Sequence, residues 1–234
     1  PAQLESGFVF ERDALPFANY GTEQFALMLD EQSMIRMFGA EEVCEEGSDP
    51  CQLLPVADAW RKGIFRALEE GHSEGFSLLT LLMHTGAVDV TEFGADNPGL
   101  LRISGNRLLQ QEISYWAATQ FVPAATASDV RKTASEVMPF LTEILSPEAK
   151  EHYRLAIVRR TSRGFQDSHA LVPFGFYKGE GDLYWLRVYD SNFPGREQRM
   201  QIDPVANTWR YEVTTVLDTK LVYEGDANNP LYFS

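Results

Sequence analysis

An α+β fold, with helices gathered early in the chain and strands late, follows from three features of the sequence. Apolar residues recur at helical spacing between Gln24 and Leu145; short β-branched or aromatic runs follow from Leu155; and no alternating strand–helix repeat links the two parts. The 234 residues can bury a substantial core and are read as one domain. Residues 1–150 form a mainly helical lobe, and residues 151–234 a β-sheet lobe.

After an irregular start containing "LPFANYG", the spacing predicts a short helix over Gln24–Phe38. In "PVADAWRKGIFRALEE", Val56, Trp60, Ile64 and Leu68 fall at four-residue steps and predict a helix with one buried face. Phe76–Met83 is apolar nearly all round, which belongs to a helix in the middle of a core. Leu109, Ile113, Trp116, Ala117 and Gln120 define the stripe of another helix. A further one is expected over Ser128–Leu145, packed through Val130, Ala134, Val137, Leu141 and Ile144. Ser146-Pro147-Glu148 has a capping hydroxyl with proline at the first helical position, so a fresh helix start is expected there.

From Leu155 the texture changes to "LAIVRR", "HALVPFGFY", "DLYWLRVYD", "RMQID", "WRYEV" and "KLVYE", separated by Gly, Pro, Asn and Asp. These runs predict one antiparallel sheet.

Composition narrows the partners. The formal charge of −14 opposes nucleic-acid binding, which needs a concentrated basic surface, and it would repel anionic membranes. A basic protein segment suits that field, although acidic surface also serves solubility. No apolar run approaches the roughly 20 residues of a membrane-spanning helix, and no signal-peptide pattern is present. Localisation stays open. Cys44 and Cys51 flank the turn formers Gly47, Ser48, Asp49 and Pro50, so a local disulfide and a pair of free thiols are both compatible with the spacing. No second ligand pair with metal-type spacing follows, so neither metal nor cofactor is expected.

Gly71-His72-Ser73-Glu74-Gly75 fits the G-x-S-x-G pattern of a serine-hydrolase elbow, but that elbow follows a buried parallel strand. Here "FRALEEG" precedes it and reads as the end of a polar helix. Ser73 is instead expected at the start of the buried helix. Downstream, a two-residue loop at Gly179-Glu180 would pair residues whose numbers sum to 359, setting His169 opposite Asp190. Residues so opposed project to the same side, and a carboxylate there fixes the imidazole's tautomer and stabilises the imidazolium.

A nucleophile position at a helix N-terminus, followed by His on one strand and Asp on the next, resembles a papain-like cysteine protease. "GHSEGFSLLTLLM" is similar to the segment that enters that family's central helix, with Ser73 at the cysteine's place. "SHALVPFGFY" supplies His169 and "RVYDSN" supplies Asp190. The likeness spans about Trp60 to Trp209: bacterial leader peptidases and secreted effector proteases of this class share the compact His-to-Asp hairpin, and "GHSEGFSLL" most resembles bacterial members with cysteine at that position. It implies a helical lobe with a central buried helix packed on an antiparallel sheet, and catalytic Ser73, His169 and Asp190. It also implies a protein or peptide substrate, an inhibitory or immunity protein as a further partner, and a secreted or delivered bacterial toxin or effector domain.

Serine departs from the family's chemistry. A cysteine at a helix N-terminus beside imidazolium exists as thiolate, whereas a hydroxyl does not ionise comparably. The expectation is a peptidase domain inactivated at position 73, either by replacement of a catalytic cysteine or as a natural pseudoenzyme. A peptide-binding module and a thiol-dependent acyltransferase or deamidase on the same fold are the alternatives. The backbone N–H of Ser73 supplies one oxyanion donor; Gln52 and His72 are weak candidates for the second. His72 is expected to diverge from the reacting face, and His84 lies about 16 Å along the helix. Glu74 is a first-turn charge. Asp167 is the fallback acid if the hairpin register differs.

Overall fold

A computed structural model describes residues 1–22, 24–25, 29–161, 164–215 and 218–234, with the backbone alone at 161, 165 and 166. The first part contains β1 (Gln3–Glu5), α1 (Phe10–Asp13), α2 (Glu31–Phe38), α3 (Ala40–Val43), α4 (Pro55–Ala67), α5 (Ser73–His84), α6 (Arg107–Thr119), α7 (Pro123–Thr126), β2 (Val130–Lys132) and α8 (Ala134–Ile144), with 3-10 turns at Val90–Phe93 and Pro98–Leu100. The rest is β3 (Leu155–Thr161), β4 (Gly164–Lys178), β5 (Tyr184–Tyr189), β6 (Gln198–Asp203), β7 (Thr208–Thr214), β8 (Lys220–Gly225) and β9 (Leu231–Phe233). The chain is α+β, as the change of texture at Leu155 predicts.

Among the described residues the strands form one antiparallel sheet in the order β2-β9-β3-β4-β5-β6-β7-β8, with β1 added beside β4. Strand β4 changes neighbours along its length: Gly164–Leu171 pairs with β3, and from Val172 it pairs with β5. A bulge between Pro173 and Gly175 marks the change, where proline cannot donate to a ladder. Asn229 Nδ2 donates to Val158 O and Glu224 O, drawing the far edge strand β8 back toward β3.

Helix α5 has little polar surface to offer water, so it sits inside, packed on α6 and β4. Phe76 and Leu79 are fully buried and share a cluster with Leu109 and Ile113 of α6 and with Val172, Phe174 and Tyr189 of the sheet. A Cβ on Gly75 would come within 2.1 Å of Ile113 O, so the second glycine of G-x-S-x-G is a helix-contact residue. At Gly71 a Cβ would come within 2.6 Å of the Asn19 amide nitrogen, a side-chain atom that would have to move aside. Gly75 thus serves helix packing, and Gly71 leaves room for the Asn19 amide. Helix α8 joins the sheet: Ala134, Val137, Leu141 and Ile144 pack with Ile157, Leu186, Met200 and Tyr211.

Several local expectations need correction. The predicted helix over Ser128–Leu145 begins only at Ala134, because Val130–Lys132 is taken by pairing with Leu231–Phe233. Thr133 and Glu136 then form a capping box. Ser146 closes a turn and starts no helix: its Oγ accepts from Glu148 N–H and its carbonyl from Ala149 N–H. Helix α2 starts at Glu31, where Asp30 accepts from Ser33 N–H, and Gln24 and Phe25 lie in a turn. Positions 26–28 of that predicted helix lie outside the described residues. Val56 is 72% exposed at the first turn of α4, and Ala57 takes the buried place. Cys44 and Cys51 are joined as a disulfide.

Candidate active site

Ser73 is the first residue of α5, preceded by His72 in a non-helical conformation. The first backbone N–H groups of a helix have no intrahelical acceptor, so they face whatever lies beyond the helix tip. Beyond it lies β4. Ser73 Oγ accepts from Ala170 N–H at 3.3 Å, which sets the hydroxyl beside the residue directly after His169.

His169 Nε2 donates to Asp190 Oδ1 at 2.7 Å, with the side chains 6% and 1% exposed. The three residues singled out from sequence are therefore brought to one place. The carboxylate is held further by Asn192 N–H at 2.8 Å on Oδ1 and by the Tyr211 hydroxyl on Oδ2. With Nε2 committed to Asp190, Nδ1 is the ring nitrogen without a hydrogen bond among the described residues. No hydrogen bond joins it to Ser73 Oγ.

Burial opposes charge on the His169 ring, but the charge and hydrogen bond of Asp190, with the charge of Asp167 added, hold its pKa above the ordinary value. Burial likewise works against the Asp190 carboxylate. His169, Tyr211 and Asn192 outweigh it and keep the pKa below the usual carboxylate range. Both shifts favour an ion pair. That is the arrangement a general base needs to hold a proton taken from a nucleophile.

The route to this pair differs from the expected hairpin. Lys178 pairs with Tyr184, so the loop has five residues, Gly179 to Leu183, and numbers sum to 362. The bulge then removes one, and Val172 pairs with Tyr189 at a sum of 361. His169 is not directly opposite Asp190; Asp190, just past the end of β5, is its diagonal neighbour on the same face. A diagonal pair is within reach of an imidazole.

A cleft of about 530 Å³ runs between the helices and the sheet, lined by Ser73, Glu74, His169, Ala170 and Asn192 among others. Asn19 is the residue that sequence reasoning missed. Its backbone N–H donates to Ser191 O at 2.7 Å, its Oδ1 accepts from His72 N–H at 2.7 Å, and its Nδ2 donates to Asn192 Oδ1 at 3.0 Å. It therefore ties the nucleophile's turn to the acid's loop, and its amide is a donor at the cleft. Only the polar turn-like texture of "LPFANYG" hinted at it. Gln52 sits in the disulfide hairpin, its carbonyl accepting from Glu45 N–H, and does not line the cleft.

His72 is buried, with Nδ1 2.7 Å from Tyr20 O and its ring against Tyr20. Burial lowers its pKa, partly offset by the Tyr20 carbonyl, so it is a neutral core residue. Asp167 accepts from the Tyr223 hydroxyl at 2.7 Å and pairs with Arg159, leaving the acid's position to Asp190. Glu74 is buried against Arg154 Nε at 2.5 Å. Burial and, more weakly, Asp129 raise its pKa against the pull of Arg154.

Neither a family model, a curated protein nor a solved structure matches this chain, so the reading of the site rests on its geometry. Among the described residues no His, Cys, Asp or Glu group is arranged to hold a metal ion, and no helix is long and apolar enough to cross a membrane.

Proposed function

We propose that this chain is a papain-like cysteine peptidase domain acting on a protein or peptide substrate, present here with serine at the nucleophile position and so with little turnover. One observation carries the reading. A buried His169–Asp190 pair, with Nδ1 uncommitted, faces a cleft that also receives the first residue of a buried helix. With cysteine at 73, the imidazole would take the thiol proton and the helix N-terminus would stabilise the thiolate. Sulfur would add to the scissile carbonyl, the protonated imidazole would give its proton to the leaving amine, and water would release the acyl group. The Ser73 backbone N–H and the Asn19 amide are the donors available to the oxyanion.

The serine hydroxyl accepts from Ala170 N–H and is not bonded to the imidazole. That favours a second reading, a peptide-binding module on the same scaffold. Ser73→Cys separates the two: the peptidase reading expects rapid alkylation by iodoacetamide and cleavage of a peptide library. An inert thiol with bound but intact peptide would leave only the module.

A further inference from the structure

Two cavities meet at His169, and they differ in chemistry. The larger cleft is lined by Glu70, Glu74, Asp129 and Asp167 against one Lys or Arg side chain among the described residues, Arg154. Glu74 and Asp167 have cationic partners, while Glu70 and Asp129 are exposed and make no ion pair among the described residues. Arg154 is 5% exposed and spends Nε on Glu74, leaving Nη1 buried without a partner. The floor of this cleft thus holds an unused donor while its rim holds unused negative charge. A peptide satisfies both, offering a backbone carbonyl to the guanidinium and a cationic side chain to the carboxylates. An anionic ligand would meet the carboxylates unfavourably.

The second cavity, about 280 Å³, lies on the other side of the pair, against Asp190 and Tyr211. Its walls include Phe193, Val213 and Leu221, and it shares Asn19, His169, Asn192 and Tyr223 with the first. Among the described residues no Lys, Arg or Glu lines it, and the one carboxylate there, Asp190, is already hydrogen-bonded to His169 and Tyr211. Such a pocket gains from an apolar side chain and loses from a charged one.

We infer that the substrate is a peptide carrying Lys or Arg on one side of the reacting bond and a large apolar residue on the other, each seated in one of these cavities. This rests on the peptidase reading for the bond between them, while the two preferences also apply to a peptide that is bound and not cut. Specificity comes as much from rejection as from attraction: a carboxylate in the first cavity meets like charge, and one in the second is buried without a partner.

The test uses the Ser73→Cys protein and a peptide library, with cut sites read by mass spectrometry. Cut sites should be enriched in Lys or Arg facing Leu, Ile, Met or Phe, and replacing the basic residue by Glu should lower kcat/KM at least tenfold. Asp129→Lys should abolish the preference for a basic residue, and Leu221→Asp the preference for an apolar one. Glu41→Gln with Glu42→Gln, a neutralisation of equal charge on α3, should change neither. Cleavage indifferent to Lys against Glu, or an equal response to the α3 variant, overturns the inference while the peptidase reading stands. If the new thiol is inert and nothing is cut, the peptidase reading falls, and binding of fluorescein-labelled peptides to the Ser73 protein decides. The Lys-to-Glu peptide change and Asp129→Lys must then each weaken affinity about tenfold, and equal affinities overturn the inference.

Discussion

Helix α5 meets a histidine–aspartate pair at each end, and only the pair at its N-terminal end borders the candidate cleft. At the C-terminal end His84 Nδ1 is 3.1 Å from Asp13 Oδ2, the side chains 14% and 5% exposed. Asp13 also accepts from Val9 N–H at 2.8 Å and from Arg12 Nε and Nη2 at 2.6 and 2.8 Å. Burial works against its charge, and Arg12, Val9 and His84 together hold its pKa down. That carboxylate is neutralised by arginine before histidine needs it, and the space beside His84 is only about 10 Å³. At the N-terminal end the other donors to Asp190 are a phenol and a backbone N–H, both neutral, so its charge is left for the imidazole. A His–Asp pair becomes a general base when its acid has no rival cation and its free ring nitrogen faces a cleft with a nucleophile.

The sharpest test removes each ring in the Ser73→Cys background. His169→Ala should lower kcat/KM by about 10³-fold, the scale of a lost general base. His84→Ala should leave kcat/KM within about threefold and instead lower stability by about 1.5–3 kcal/mol in urea titration, the scale of a lost hydrogen bond to a charged group. Comparable activity losses at both ends would break the distinction.

The two acids sharpen it through pH. His169 binds its proton more tightly folded than unfolded, so its stabilisation is fully present below about pH 6.5 and is lost as pH rises through the raised folded value. Asp190 is the opposite: its contribution is present above about pH 3.9 and is lost as pH falls through the depressed folded value. Asp190→Asn should therefore flatten the fall in urea midpoint above neutral pH. In the cysteine form it should lower kcat/KM by about 10²-fold, less than the roughly 10⁴-fold of a serine triad because the thiolate exists before attack, and shift the alkaline limb of the rate profile to lower pH. Asp13→Asn should destabilise the fold and leave that limb in place.

How far the sequence carries these points depends on whether the interaction is local in the chain. The stripe Leu109, Ile113, Ala117 is fully buried as helical spacing predicts, because periodicity reports a face whatever covers it. Val130–Lys132 was illegible because its partner strand lies a hundred residues away, and Val56 because spacing does not say where a helix leaves the core. The hairpin is more instructive. A loop longer by three residues alone would have turned His169 and Asp190 to opposite faces, and the Pro173–Gly175 bulge takes one residue back. The net error of two preserves which face a side chain points to, so the pair survives a wrong register. For Asn19 the sequence offered no more than a loop texture, since an asparagine there gains its meaning only from the Ser191, His72 and Asn192 groups it meets in three dimensions.

The smallest difference between the two ends lies in the carboxylates' remaining contacts, and Tyr211 is where to probe it. Its hydroxyl is buried and pushed well above the ordinary phenol range by burial and by the Asp190 charge, so it is a proton donor to Asp190 at neutral pH. Tyr211→Phe keeps the ring's packing and removes that donor from Asp190 Oδ2. A buried carboxylate oxygen left without a partner costs about 1–3 kcal/mol. The hydrogen bond also helps hold the Asp190 pKa down, so the variant's loss of stability should be full above about pH 3.9 and shrink as pH falls through the depressed folded value. At the other end Arg12→Met strips Asp13 of its cation and should raise that acid's pKa in the same sense, with kcat/KM of the cysteine form unchanged. Tyr211→Phe should lower kcat/KM by about threefold to tenfold, because a weaker carboxylate orients and charges the imidazole less well. Urea midpoints compared at pH 3 and pH 7 read the stability effect, and the loss should be the smaller one at pH 3. If they fall equally at both, Tyr211 supports the sheet's packing and has no part in tuning Asp190.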